Sequence, residues 1–116
     1  MLNIVKYPRA VVDITEAAIY LDEYAGIDIA IRFVELCDDA FSQLAAAPGI
    51  GVLRTVPGYP GARTWRVRPH QHLIVYMATD STLEIIRVIH GARDIDAILD
   101  APSPSVGATP PETENI

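Results

Sequence analysis

Basic residues are scarce in this chain: nine Lys and Arg stand against fifteen Asp and Glu, giving a formal charge of -6 over 116 residues. That balance argues against an ordinary nonspecific DNA-binding protein, which needs a positive electrostatic footprint. Cysteine occurs once, so no internal disulfide can form. Cys37, set in "FVELCDDAF", reads as a small core residue rather than a nucleophile. No run of eighteen apolar residues exists, and "MLNIVKYPRAVVD" lacks the basic region, apolar stretch and small-residue cleavage site of a secretion signal. A cytoplasmic location with no membrane contact is therefore expected. Glycine-rich phosphate loops, paired CxxC motifs, HExxH and serine-elbow signatures are all missing, as are internal repeats. No cofactor is expected. His70 and His72 flank Gln71, but a structural zinc site needs four ligands and no convincing remainder is present, so no metal is expected and the two histidines read as exposed turn residues.

What is present is a 50% hydrophobic composition, enough for the modest core of one domain. Its charge is unevenly spread. Residues 1–48 carry eight acids against three bases, residues 49–99 four acids against six arginines, and residues 100–116 three acids and no base. An acidic helical half is thus joined to a mildly basic strand half.

"LNIVKY" reads as a short strand ended by Pro8, which suits the first turn of a helix. Helical spacing places Ile14, Ala17, Leu21 and Tyr24 or Ala25 on one stripe, and after Gly26 a second helix, with Asp28 as N-cap, buries Ala30, Phe33, Cys37, Phe41 and Leu44. The short join predicts an antiparallel helical hairpin. "PGIGVLRTVPGYPGA" predicts an extended connection with turns. Three strands follow: "RTWRVR", "HLIVYMA" and "LEIIRVI", the last two joined by the turn "TDST". "DIDAIL" predicts a short C-terminal helix with Asp94 as N-cap. The expected fold is α+β, with an N-terminal strand, an antiparallel helical hairpin packed on a predominantly antiparallel sheet, and that short helix. Residues 1–100 form the domain; residues 101–116, "APSPSVGATPPETENI", lack apolar period and read as a disordered tail.

Candidate functional groups concentrate in the strand half. Arg63, Arg66, Arg68, Arg87 and Arg93 lie on neighbouring expected strands and could converge, each offering a planar set of donors for carboxylate or phosphate. Arg87 interrupts an apolar strand and, if buried, needs a partner, for which Asp94 is the sequence candidate. His90 is open to acid-base work or to a simple backbone hydrogen bond. Trp65 and Tyr76 read as packing anchors. Tyr20 and Tyr24, four apart, are placed to brace the hairpin.

The succession "RAVVDITEAAIYL", "AIRFVELCDDAFSQLAAAPGIG", "GARTWRVRPHQHLIVYMA" and "LEIIRVIHGARD" resembles the RelE/ParE toxin superfamily over residues 3–99, and is most similar to its ParE-like branch. "RVIHGARD" is the most specific piece. The resemblance implies the toxin component of a type II toxin-antitoxin system, neutralised by a cognate antitoxin whose C-terminal segment wraps across it. Two activities occur in the superfamily: noncatalytic poisoning of DNA gyrase, and ribosome-dependent cleavage of messenger RNA. The strand half has no lysine, and Leu73 stands where nuclease-like relatives can present a basic residue; both departures favour gyrase. On that reading no residue is catalytic. Arg63, Arg66, Arg87, His90 and Arg93 form the antitoxin or target interface, and Trp65, Tyr76 and Asp94 support it. The alternatives are a ribosome-dependent endoribonuclease, with His90 in proton transfer and arginines on phosphate, or a nontoxic antitoxin-binding protein.

Overall fold

Pro8 sets the first corner of the chain. In the computed structural model, which describes residues 1–91, β1 (Asn3–Lys6) ends just before it and α1 (Pro8–Ala25) begins with proline in its first turn. A proline there sacrifices no hydrogen bond, because the first helical N–H groups lack intrahelical acceptors. Tyr7, held extended, accepts the N–H groups of Ala10 and Val11 at its carbonyl and so caps the helix with backbone alone.

Gly26 is the entire joint between α1 and α2 (Ile27–Ala46), and its φ of 96° lies where a side chain would be strained. Asp28 falls in the first turn of α2 rather than at its N-cap, which is Gly26 itself. The expected buried stripe of α2 is present: Ala30, Phe33, Cys37, Phe41 and Leu44 are all buried, with Ala40 and Ala45 beside them. Ile14, Ala17 and Leu21 of α1 pack against the same cluster.

After the short 3-10 turn Pro48–Ile50 come β2 (Val52–Leu53), β3 (Arg63–Arg66), β4 (His72–Ala78) and β5 (Thr82–His90). The sheet order is β1-β5-β4-β3-β2. All pairs are antiparallel except β1 with β5, where Asn3 stands opposite Thr82 and Lys6 opposite Ile85. Val75 pairs with Arg87 but its neighbour Tyr76 pairs with Ile85, so Ile86 is the extra residue of a bulge in β5.

The sheet is buried on both faces. Residues in register share a face, and the row Trp65, Ile74, Val88 joins the helix-side core with Phe33 and Phe41. The opposite face carries Val75, Ile86 and Ile89, covered by the β2–β3 loop through Val56, Tyr59 and Ala62. That loop is two successive turns, "VPGY" and "YPGA". Each has proline second and a positive-φ glycine third, Gly58 at 84° and Gly61 at 77°, and each is closed by a backbone bond, Tyr59 N–H to Val56 and Ala62 N–H to Tyr59. These are type II turns, in which proline fixes the second position and glycine alone fits the third comfortably. The connection expected to be merely extended is therefore a folded strap.

One element of the expected architecture is corrected. Among the described residues no helix follows the sheet: β5 runs on through His90, and the chain passes Gly91, whose N–H donates to the Gln71 carbonyl, straight from strand pairing. The residues assigned to the short C-terminal helix, the domain limit at residue 100 and the tail 101–116 lie outside the described residues.

Candidate functional site

Arg87 shows how the interrupted apolar strand is accommodated. Its Nε donates to Asp13 Oδ2 at 2.7 Å and its Nη2 to Asp13 Oδ1 at 3.1 Å. The partner is thus Asp13 of α1, not Asp94, which lies outside the described residues, as does Arg93. The same Asp13 Oδ2 accepts the backbone N–H of Val88 at 3.0 Å, and Arg9 Nε stands 3.3 Å from Oδ1. Topology explains the arrangement. β1 stops at Lys6, so the part of β5 beyond Ile85 loses its neighbouring strand, and an aspartate one turn into α1 satisfies the exposed ladder donor. With 6% of its side chain exposed, Asp13 is desolvated; two guanidiniums and one amide compensate. Nothing local in the sequence marks this residue.

The other sequence candidates do not converge. Arg63 is in register with Tyr76 on the helix side, whereas Arg66 is in register with Leu73 on the opposite side, because successive strand residues alternate. Arg63 Nη1 donates to the Gly51 carbonyl at 2.8 Å, and Arg66 Nε to the His70 carbonyl at 2.9 Å. Tyr76 is fully buried; its hydroxyl donates to the Pro48 carbonyl at 2.7 Å and accepts Gly51 N–H at 3.0 Å. Burial pushes this phenol above its ordinary pKa, the Gly51 hydrogen bond and Arg63 opposing in part. Arg63 and Tyr76 together clamp the turn after α2. Gly51 has to be glycine: a Cβ there would collide with the Tyr76 hydroxyl and sit 2.8 Å from the Thr64 carbonyl oxygen. Trp65 is half-buried against the helix-side core.

His90 stands opposite His72 in register, their rings 5.6 Å apart, and both His70 and His72 present edges to Phe33 at 5.0 Å. The expected exposed turn is corrected here: His70 and His72 are half-buried, since Phe33 of α2 reaches the start of β4. Burial lowers the His70 pKa. His72 and His90 line a depression of about 250 Å³ with Asp13, Glu16 and Tyr20. Among the described residues no group of three or more His, Cys, Asp or Glu side chains is arranged to hold a metal. Cys37 is buried, with its thiol pushed up to about 12 by burial and by Asp38, so it is an inert core group.

The surface that sequence reasoning missed lies on the outside of the hairpin. Ile19, Ile27 and Ile31 are 58%, 57% and 51% exposed, and with Ala18, Ala30 and Val34 they form an apolar groove of about 360 Å³ between α1 and α2. Asp22 and Glu35 rim it. Tyr20 and Tyr24, also exposed, stack at 4.5 Å one turn apart. The signal was present in "IDIAIRFV", where Ile27, Ile29 and Ile31 fall off the buried stripe. Contiguous exposed aliphatics of this kind mark a surface that another molecule covers.

The family described as the ParE toxin of the type II toxin-antitoxin system, parDE, matches over residues 6–95. Among solved structures, one described as the chromosomal ParDE TA system from P. aeruginosa is similar with a TM-score of 0.66 and 17% identity, covering 78% of this chain and 96% of that one. At that identity the likeness concerns the fold. No curated protein matches the chain. Among the described residues no helix is long and apolar enough to cross a membrane.

Proposed function

The chain belongs to the ParE toxin family of type II toxin-antitoxin systems, and we propose that it acts by binding DNA gyrase without catalysis and is silenced by a cognate antitoxin. The observation that carries the noncatalytic reading is the outer sheet face. Leu73, Val75, Ile86 and Ile89 pave it beneath the strap, and the basic residue in register there with Val75, Arg87, is already bound to Asp13. Cleaving a phosphodiester needs donors and a proton acceptor aimed at the reacting phosphate. An apolar, covered surface supplies neither. The DNA chemistry then belongs to gyrase, and this chain contributes shape.

Neutralisation has a matching surface. The groove between α1 and α2 suits one face of an amphipathic antitoxin helix, whose apolar residues would cover Ile19, Ile27 and Ile31 while its basic flanks meet Asp22 and Glu35. Arg63 and Arg87 support the interface from within the fold, while Arg66 lies on the sheet side and His90 at its end.

One observation favours the ribonuclease reading: Glu16, Tyr20, His72 and His90 share a depression, and a carboxylate, a phenol and two imidazoles could move protons. Purified chain assayed in parallel for gyrase supercoiling with trapped DNA breaks and for ribosome-dependent messenger-RNA cleavage separates the two. Trapped breaks without RNA cuts support the proposal. RNA cutting abolished by His90→Ala, with gyrase unaffected, overturns it; inactivity in both assays, with the antitoxin complex intact, points to a binding-only protein.

A further inference from the structure

The bases of this chain fall into two sets. Lys6, Arg9, Arg32 and Arg87 each lie within ion-pair distance of a carboxylate. Among the described residues, no ion pair joins Arg54, Arg63, Arg66 or Arg68, although acids outnumber bases in the chain. Three of these unpaired arginines, Arg54, Arg66 and Arg68, line one groove of about 480 Å³ between α2 and β3, with Leu36, Ala40 and Trp65 as its apolar part.

The groove also runs along an unfinished sheet edge. β2 pairs only with Arg63 and Thr64, whereas β3 continues to Arg66 against β4. Backbone direction along this stretch is fixed at both ends: the Ala62 carbonyl accepts Arg54 N–H on the outer side, and Val67 N–H donates to the His72 carbonyl on the inner side. By alternation, Arg66 turns its own N–H and C=O outward, past the end of β2. An open ladder position beside unpaired guanidiniums is a template for an extended, acidic chain.

We infer that this edge of β3 receives a short extended segment of the antitoxin in which carboxylates alternate with apolar side chains, so that the antitoxin grips two separate surfaces of the toxin. The inference rests on the family reading above. Period-two alternation sends one set of side chains toward Trp65 and Leu36 and the other toward the arginines, while the main chain pairs with Arg66. A continuous polyanion fits less well. The opposite wall is α2, which carries Asp38 and Asp39, the latter lining the groove. Spaced carboxylates can avoid these acids; a phosphate backbone cannot. The two grips call for opposite charge in the partner, basic flanks at the hairpin and acidic residues at β3.

The test uses the full chain, free and in complex with the antitoxin encoded beside it, with amide exchange followed by NMR and affinity by titration at several salt concentrations. Arg66 N–H is expected to slow by about 100-fold or more in the complex, as a newly paired ladder amide does. Arg54→Glu with Arg68→Glu should weaken binding by about 10- to 100-fold and flatten its salt dependence. Both residues are exposed and make no side-chain hydrogen bond among the described residues, so the thermal transition should stay in place. A complex of parental affinity in the double variant, with Arg66 still exchanging freely, overturns the inference and leaves the toxin reading standing. Failure of any complex to form overturns both. Protection of Arg66 already present in the free chain assigns the edge to the chain's own acidic residues 100–116, or to a second copy if it rises with concentration, and also overturns the inference.

Discussion

Replacing Asp13 with alanine removes in one step the partner of Arg87 and the acceptor of Val88 N–H. Breaking a fully buried ion pair by deleting one member costs about 3–5 kcal/mol. Arg87 keeps 26% of its side chain exposed and can swing toward water, so that range is an upper bound here. The Val88 amide has no such route, and a buried donor left unsatisfied costs about 1–3 kcal/mol. The expected loss is therefore about 2–4 kcal/mol, and at about 4–8 °C per kcal/mol for a domain near this size it lowers Tm by roughly 10–30 °C. Urea unfolding read by Trp65 fluorescence and far-ultraviolet circular dichroism measures it. Asp13→Asn keeps an acceptor for Val88 while dropping the charge, and should lose about half as much. A cycle with Arg87→Met should give a coupling of about 1–3 kcal/mol. Stability of Asp13→Ala within about 0.5 kcal/mol of the parent, or strict additivity in the cycle, would refute the idea that one aspartate completes the β5 edge.

Tyr76→Phe deletes the hydroxyl that joins Pro48 and Gly51, and is expected to cost about 1–3 kcal/mol in the same denaturation assay; Gly51→Ala should cost at least as much, by collision rather than by a lost bond. Ile31→Glu in the hairpin groove should leave the unfolding curve almost unmoved, since the residue is half exposed, yet weaken antitoxin binding by about 30-fold or more in calorimetric titration. His70, whose pKa burial depresses below the ordinary 6.5, binds its proton more readily in the unfolded chain. Its contribution is therefore complete above about 6.5 and is lost as pH falls through the lower folded value. NMR titration of the imidazole should give a native midpoint under 6.5, and His70→Gln should flatten the acid limb of the stability curve.

Local pattern carried much of this fold. The α2 stripe from Ala30 to Leu44 and the β4–β5 hairpin were legible because their periods, 3.6 and 2, are written in consecutive residues. β2 was not, since two residues are too few to show a period and its pairing is decided by the strap. The bulge at Ile86 is likewise invisible: "EIIRVI" reads equally well as a regular strand, and only the demand to place Ile85 and Val88 on one face reveals the extra residue. Arg87 was correctly singled out as needing a partner, but Asp13 lies 74 residues away in a helix, and nearness in sequence made Asp94 the natural choice. The arginines seemed convergent when read as a set. Strand alternation sent Arg63 and Arg66 to opposite faces, a consequence of the register with Tyr76 and Leu73. The exposed isoleucines were overlooked because amphipathic reading looks for the stripe that is buried and passes over a second one.

β1 and the hairpin are made first, but the strand that β1 pairs with is synthesised last: Asn3 waits for Thr82. Contacts so distant in sequence form late, because the intervening chain must be closed before they repay its entropy. While the ribosome is still producing β3 to β5, both stripes of α2 are open, one later covered by the sheet and the other by whatever occupies the hairpin groove. The nascent chain is then at its stickiest, and a partner already present can take the outer stripe before the inner one is sealed. Order of synthesis thus gives capture a head start on release: the surface that would bind a neutralising helix is complete tens of residues before the sheet whose assembly finishes the domain.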